Sequence, residues 1–181
     1  MKMIIVKIIT VLVAIISLAL VVAMFTKDKY TITRQIVINK SKHDVFDFIK
    51  LNQNQKLYSK WLLLDPNTKI EIKGAADGTS GSVLAFESKH HKTGKGEWEI
   101  KKVTDGEKVD FELRFLAPYV FTANGYMATE SLSANQTKLN WVYNSGMNWP
   151  KNFMLIFLDM DKLIGSDVEE SLHNIKTIVE K

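Results

Sequence analysis

The side chains able to do chemistry in this chain are few and poorly spaced for it. A nucleophilic or acid–base site needs its groups within hydrogen-bond reach and held by a third partner. The four histidines do not supply that. His43 falls in the first turn of an expected helix, and His173 lies off the apolar stripe of the last one. His90 and His91 stand at a hairpin tip among Lys89, Lys92 and Lys95. Adjacent residues are expected to point their rings apart, so this pair reads as a solvated turn; a metal there would need ligands from a second loop. The same basic tip can touch anionic headgroups.

Acidic pairs are no better placed. Asp159 and Asp161 straddle Met160, which sets their side chains about 200° apart around a helix axis. Asp161 is expected to pair with Arg114 or a lysine of the sheet. Gly94 and Gly96 form an isolated GxG inside a hairpin, a weak nucleotide signal. No phosphate loop, Ser/His/Asp order or zinc spacing accompanies it, and no cofactor is expected. The chain has no cysteine, which excludes disulfides, thiolate metal sites and an acylated-cysteine anchor. Asn39-Lys40-Ser41 and Asn135-Gln136-Thr137 match the glycosylation sequon, a match that arises often by chance. The polar groups able to orient a ligand are Tyr126, Tyr143, Asn124 and Asn144, depending on strand register.

The elements that would position these groups follow a clear order. A first strand, YTITRQIVIN, runs into SKHD, where Ser41 and Asp44 make an imperfect capping box for a helix with Val45, Phe46, Phe48 and Ile49 on its apolar face. A second short helix is expected over Asn52 to Lys60. The period then changes to two. Strands are predicted over 68–73, 81–89, 96–103, 108–116, 120–131 and 138–145, separated by turn signals. In VDFELRFL, Val109, Phe111, Leu113 and Phe115 alternate with Asp110, Glu112 and Arg114, the pattern of a sheet wet on one face. A long helix is expected from about Pro150 to Val179, with Phe153, Phe157, Met160, Ile164, Val168, Leu172, Ile175 and Val179 as its stripe. Together these predict a two-layer α+β domain with a curved antiparallel sheet of six to seven strands.

Ahead of it, Ile8 to Phe25 is 18 residues without a charge, and Ile4 to Phe25 can cross an apolar layer of about 30 Å. The run is long for a signal peptide, and the bulky Met24 and Phe25 stand where a cleavage site wants small residues, so an uncleaved anchor is expected. Residues 1–29 form this anchor and a short linker, and 30–181 the domain. Thr26 to Lys29 can reach only about 13 Å, which keeps the domain near the bilayer. Lysines flank the span on both sides, with a weak lean to an extracytoplasmic domain. The net charge of +4 resides mostly in residues 1–29, which hold four lysines and one aspartate and leave 20 basic and 19 acidic residues elsewhere. A nearly neutral domain lacks the phosphate-neutralising surface of a nucleic-acid binder, so that partner is excluded.

Two patterns point to apolar ligands. Phe153 to Leu158 is apolar at six consecutive positions, covering every face of a helical turn; its outward side would meet core, a cavity mouth or lipid. Trp98, Phe111, Phe115, Phe121, Trp141, Tyr143, Met147, Met154, Phe157 and Met160 are large or adaptable side chains on faces expected to turn inward. Each one singly is accounted for by core packing. Gly165, inside the last helix, marks close backbone approach or room for a ligand.

From Tyr30 onward the chain resembles the START-like (SRPBCC) superfamily, in its polyketide cyclase/dehydrase-type branch. The residues that carry the resemblance are IVINKSKHDVFDFI, the WLLLDP stretch from Trp61 to Pro66, GKGEWEI, and LDMDKLIGSDVEESLHNIK. Where that branch has a tryptophan- and proline-rich helical turn, this chain has Gln55, Lys56, Tyr58 and Lys60 and keeps only Trp61, which alters the pocket rim. The resemblance implies a helix-grip fold with a cavity between sheet and last helix that holds a hydrophobic small molecule or lipid, lined by the ten residues above and Trp61. It also implies a rival function, a cyclase or dehydratase acting on an aromatic or polyketide-type substrate; a third reading, which an exposed apolar patch from Phe153 to Leu158 would favour, is a protein-partner module with a vestigial cavity.

Overall fold

The computed structural model describes residues 2–181. The chain divides into two compact units: one runs to Tyr30 and takes in Gly146–Met160, and the other is Thr31–Ser145 with Asp161–Lys181.

The larger unit is built on one open seven-stranded sheet. Strands β2 (Lys69–Gly74), β3 (Ser82–Glu87), β4 (Lys95–Thr104), β5 (Lys108–Ala117), β6 (Phe121–Ser133) and β7 (Gln136–Gly146) follow as an antiparallel meander, and β1 (Lys29–Ile38) closes the far edge beside β7. All seven fall where the alternating pattern predicts them. The alternation sorts the two faces: Trp98, Ile100, Phe111, Leu113, Met127, Leu139, Trp141 and Tyr143 are buried, and burial of each such side chain contributes about 1.5–3 kcal/mol. Register brings Phe111 opposite Gly125, and the ring lies so close that a β-carbon on residue 125 would come within 2.6 Å of its Cζ.

The other face is charged. Arg114 binds Glu99 at 2.6 Å and Glu97 at 3.0 Å, and also pairs with Glu112 on its own strand. Lys73 and Lys101 add further pairs to Glu97 and Glu99. Asn124, Tyr126 and Asn144 alternate onto this outer face as well, which removes them as inward ligand-orienting groups. Asn144 instead accepts a hydrogen bond from Thr31, and Tyr126 lies under the Lys108 ammonium.

Between β1 and β2 come α2 (Lys42–Ile49), a 3-10 turn (Asn52–Asn54), α3 (Gln55–Tyr58) and α4 (Lys60–Leu63). The Ser41 hydroxyl caps α2 by accepting from Asp44 N and donates to the Asp44 carboxylate, so the sequence signal for this helix start is realised with altered wiring. The expected single helix over Asn52 to Lys60 is interrupted because Ser59 is extended (ψ 115°), ending α3 and starting α4.

The last helix, α5, spans Met160–Val179 and begins ten residues later than the pattern suggests. Its buried positions Val168, Leu172 and Ile175 keep the expected stripe. Ser171, fully buried, accepts from Lys60 N and donates to Asp167 O, while Asn174 donates to Tyr58 O. Asp161 pairs with Arg34 of β1 and not with Arg114. Seven strands, short helices after the first, and a long C-terminal helix make this the helix-grip fold.

The smaller unit holds α1 (Lys2–Phe25), a 24-residue helix of mean hydropathy 3.0 over its most apolar window. It is long and apolar enough to cross a membrane or to act as a signal sequence. Against its C-terminal end lies the segment from Gly146 to Met160. Asn152, 3% exposed, donates its side-chain amide to Ala23 O at 2.7 Å and Thr26 O at 3.0 Å. Trp149 Nε1 donates to Leu20 O, and Met147 N to Asp28 O. These bonds fix the segment to the last turns of α1 and the residues just after it, and they hold Lys151–Ile156 as a 3-10 turn where the apolar pattern alone suggests an α-helix.

Candidate functional site

The inner face of the large unit carries a connected set of aromatic rings. Trp98 on β4 stacks on Phe111 of β5 with centroids 3.7 Å apart. The edge of Trp141, from β7, meets Trp98 at 6.0 Å, and Tyr143 stands 6.4 Å from Phe111. Tyr58, from α3, presents its ring to Trp141 at 6.2 Å and to Phe48 at 6.0 Å. Strand alternation explains the set, since positions 98, 111, 141 and 143 all fall on the apolar side of the pleat.

Two polar atoms make this set more than packing. Tyr58 Oη and Trp141 Nε1 are buried with no hydrogen-bond partner among the described residues. Leaving such groups unpaired costs about 1–3 kcal/mol each, so each is a donor that a bound acceptor would satisfy. Burial pushes the Tyr58 phenol well above the usual tyrosine range, and the negative charge of Asp77 adds to the shift. It is therefore a neutral donor across the physiological range. An aromatic wall with two buried donors can hold a planar apolar molecule by stacking and fix its orientation through an oxygen.

The other sequence-predicted residues lie as follows. Phe115 and Phe121 stack on each other at 4.5 Å, half-buried, with Phe86 against Phe115. Trp61 is half-buried, and its carbonyl accepts from Thr93 Oγ1 at 2.6 Å. Met147, Met154, Phe157 and Met160 belong to the smaller unit, where Met154 and Phe157 are exposed and Phe153 meets Phe157 edge-on. Gly165 does not leave room for a ligand: a β-carbon there would lie 2.1 Å from Arg34 Nη2. A surface hollow of about 570 Å³ is lined by Lys50, Asp77, Gly78, Thr79, Ser80, Lys102, Val103 and Asp105, and none of the aromatic set lines it. Charged side chains and apolar surface share its walls, and the Asp77 carboxylate there is already engaged by Asn52 N and Gln53 N.

His90 and His91 stack at 4.9 Å instead of diverging, because the chain turns back at this tip with Thr93 N and Gly94 N both bonded to His90 O. No group of three or more His, Asp or Glu side chains able to hold a metal forms among the described residues. Sequence reasoning had Tyr58 only as an altered rim position. Its signal was an aromatic side chain in a helical piece otherwise rich in polar residues, and the structure buries it completely.

No protein-family model matches the chain, and no curated protein matches it by sequence. Solved structures do resemble it. Norcoclaurine synthase from Thalictrum flavum, in complex with dopamine and hydroxybenzaldehyde, superposes with a TM-score of 0.64 at 13% identity, over 87% of this chain and 90% of that one. Zhui aromatase/cyclase from Streptomyces sp. R1128 gives 0.61 at 11% identity, over 84% and 94%. The Aha1 dimer from Colwellia psychrerythraea gives 0.52 at 15% identity, over 81% and 96%. The fold shared with them is the START-like helix-grip fold.

Proposed function

We propose that this chain binds a hydrophobic small molecule or lipid on the aromatic inner face of its helix-grip domain and is tethered to a membrane by α1. The supporting observation is the pair of buried, unpartnered donors, Tyr58 Oη and Trp141 Nε1, set among stacked rings. On this reading residues 1–29 are anchor and linker, and 30–181 the binding domain, placed on the extracytoplasmic side. The ligand wall comprises Trp61, Trp98, Phe111, Phe115, Phe121, Trp141 and Tyr143, while Met147, Met154, Phe157 and Met160 belong to the smaller unit and are left out of it. The rings touch one another in this structure, so ligand entry parts the Trp98–Phe111 stack or replaces one of its members. No cofactor takes part.

The test is native mass spectrometry of the full chain released from nanodiscs, before and after solvent extraction. A discrete extra mass that leaves on extraction supports the reading. A clean mass, with no thermal stabilisation by added lipids or planar aromatics, overturns it.

A second reading, cyclase-like catalysis on an aromatic or polyketide-type substrate, draws on the synthase and the aromatase/cyclase among the similar structures. It needs a titratable group on the wall; the phenols there are Tyr58 and Tyr143, and Tyr58, held protonated by burial, can polarise a substrate oxygen as a hydrogen-bond donor. Conversion of the released molecule by the chain would favour catalysis over storage.

A further inference from the structure

The smaller unit contains an apolar element that its own fold does not cover. Between Gly146 and Leu158 there is no acidic residue and one lysine, Lys151. Trp149 is 56% exposed, Met154 52%, Ile156 50% and Phe157 72%, beside Met24 at 70% and Phe25 at 85%. A contiguous apolar surface of this kind marks an interaction site.

What covers it follows from how it is attached. The Trp149 indole donates to the carbonyl of Leu20, five residues before the end of α1 at Phe25, which is about 7.5 Å back along the helix axis. The segment therefore does not hang beyond the apolar helix; it doubles back alongside it. Asn152 clamps the same end through the carbonyls of Ala23 and Thr26. If α1 occupies a bilayer, Trp149 is held at the depth of its last turns, the level at which tryptophan rings concentrate in membrane proteins. Lys27, Lys29 and Lys151 stand around this end with Asp28 as the sole acid between residues 26 and 30, a balance that suits anionic headgroups.

We infer that the segment 149–158 is a second membrane contact: a short hook that inserts Trp149, Met154, Ile156 and Phe157 into the interfacial layer of the leaflet from which α1 emerges. The inference rests on reading α1 as a bilayer anchor. It explains why Phe153 to Leu158 is apolar on every side, since one side meets the end of α1 and the other meets lipid.

The chain contains no cysteine, so single nitroxide labels can be placed cleanly. Full-length F157C and, as a depth reference within the anchor, M24C are labelled and reconstituted into vesicles of phosphatidylcholine and phosphatidylglycerol, with I156C as a second reporter of the hook. The expected result is a chain that stays with the vesicles after alkaline carbonate washing, and F157C and I156C labels that collide more often with oxygen than with a water-soluble nickel chelate, as M24C does. A chain that washes off overturns both the anchor and the hook. A chain that stays, with hook labels reached mainly by the chelate, overturns the hook alone. Spin–spin broadening with both collision rates suppressed shows a second copy over the segment and overturns it too.

Discussion

The guanidinium of Arg34 lies over Gly165, so close that a β-carbon on residue 165 would come within 2.1 Å of Nη2. The same guanidinium grips Asp161 through both carboxylate oxygens, each at 2.9 Å, and reaches its carbonyl at 3.1 Å. One strand residue is thereby fixed to the first turn of α5, and the glycine is what admits it. The hydrogen bond from Arg34 holds the Asp161 carboxyl below the usual aspartate range.

Replacing Gly165 with alanine should displace the guanidinium while leaving the helix intact. Alanine favours the helix by about 1 kcal/mol relative to glycine, and the disturbed ion pair offsets part of that, so thermal stability should change little. The Asp161 carboxyl should rise back toward its ordinary value, read by an NMR titration. A large loss of stability would show instead that helix and strand backbones are forced apart.

The Arg114 cluster predicts a pH dependence. Glu97 and Glu99 are held below the usual glutamate range, first by hydrogen bonds from Lys73 and Lys101 respectively and then by Arg114. A carboxyl lowered on folding contributes stability above its unfolded value and loses it as pH falls through the folded one. R114M should therefore cost about 1–2 kcal/mol at neutral pH, and the gap from the unmodified chain should narrow on acidification through the carboxylate range. Urea denaturation at a series of pH values measures it. A gap independent of pH would assign the loss to packing of the arginine stem.

Tyr58 separates binding from stability. Its hydroxyl is buried without a partner, so Y58F removes a desolvated group without opening a cavity. The ligand-free chain should keep or gain stability, by up to about 1 kcal/mol. If the hydroxyl donates to ligand, retention of the bound molecule should fall about 3- to 10-fold, as expected for one neutral hydrogen bond. Unchanged retention would leave Tyr58 a core residue and move the orienting role to Trp141.

Much of this architecture was legible because period-two alternation is dictated by the pleat: once Val109, Phe111 and Leu113 alternate with Asp110, Glu112 and Arg114, the buried face of β5 is fixed. The first turn of α2 was equally plain from Ser41 and Asp44. Two regions misled for identifiable reasons. Phe153 and Phe157 extend the stripe of α5 in sequence, yet the helix starts only at Met160, since Asn152 and Trp149 bond to residues more than 120 positions earlier and no local pattern encodes that. Asp161 was matched to the wrong cation because pairing across the fold depends on which strand α5 crosses, and Arg34 lies on the first strand. The burial of Tyr58 is hidden for a related reason, as its ring packs edge-on against Trp141, more than 80 positions later in the chain.

Asn152 offers the sharpest test of how the smaller unit is held together. Its amide nitrogen serves two main-chain carbonyls, Ala23 O and Thr26 O, at the end of α1, and its own Oδ1 is buried without a partner among the described residues. Alanine removes the donor from both carbonyls, leaving Ala23 O only the bond from Thr26 N at 3.3 Å, at a cost of about 1–3 kcal/mol to the local contact. Aspartate keeps the shape but turns a charged oxygen toward two carbonyl oxygens, so it should be worse than alanine although closer in size. Hydrogen exchange of residues 147–158 in the reconstituted full chain should accelerate about 10- to 100-fold for N152A, the opening equilibrium that such a cost implies, and further for N152D. Equal acceleration in the two variants would mean that Asn152 acts by volume alone, and the segment would then be held to α1 by Trp149 and its apolar neighbours.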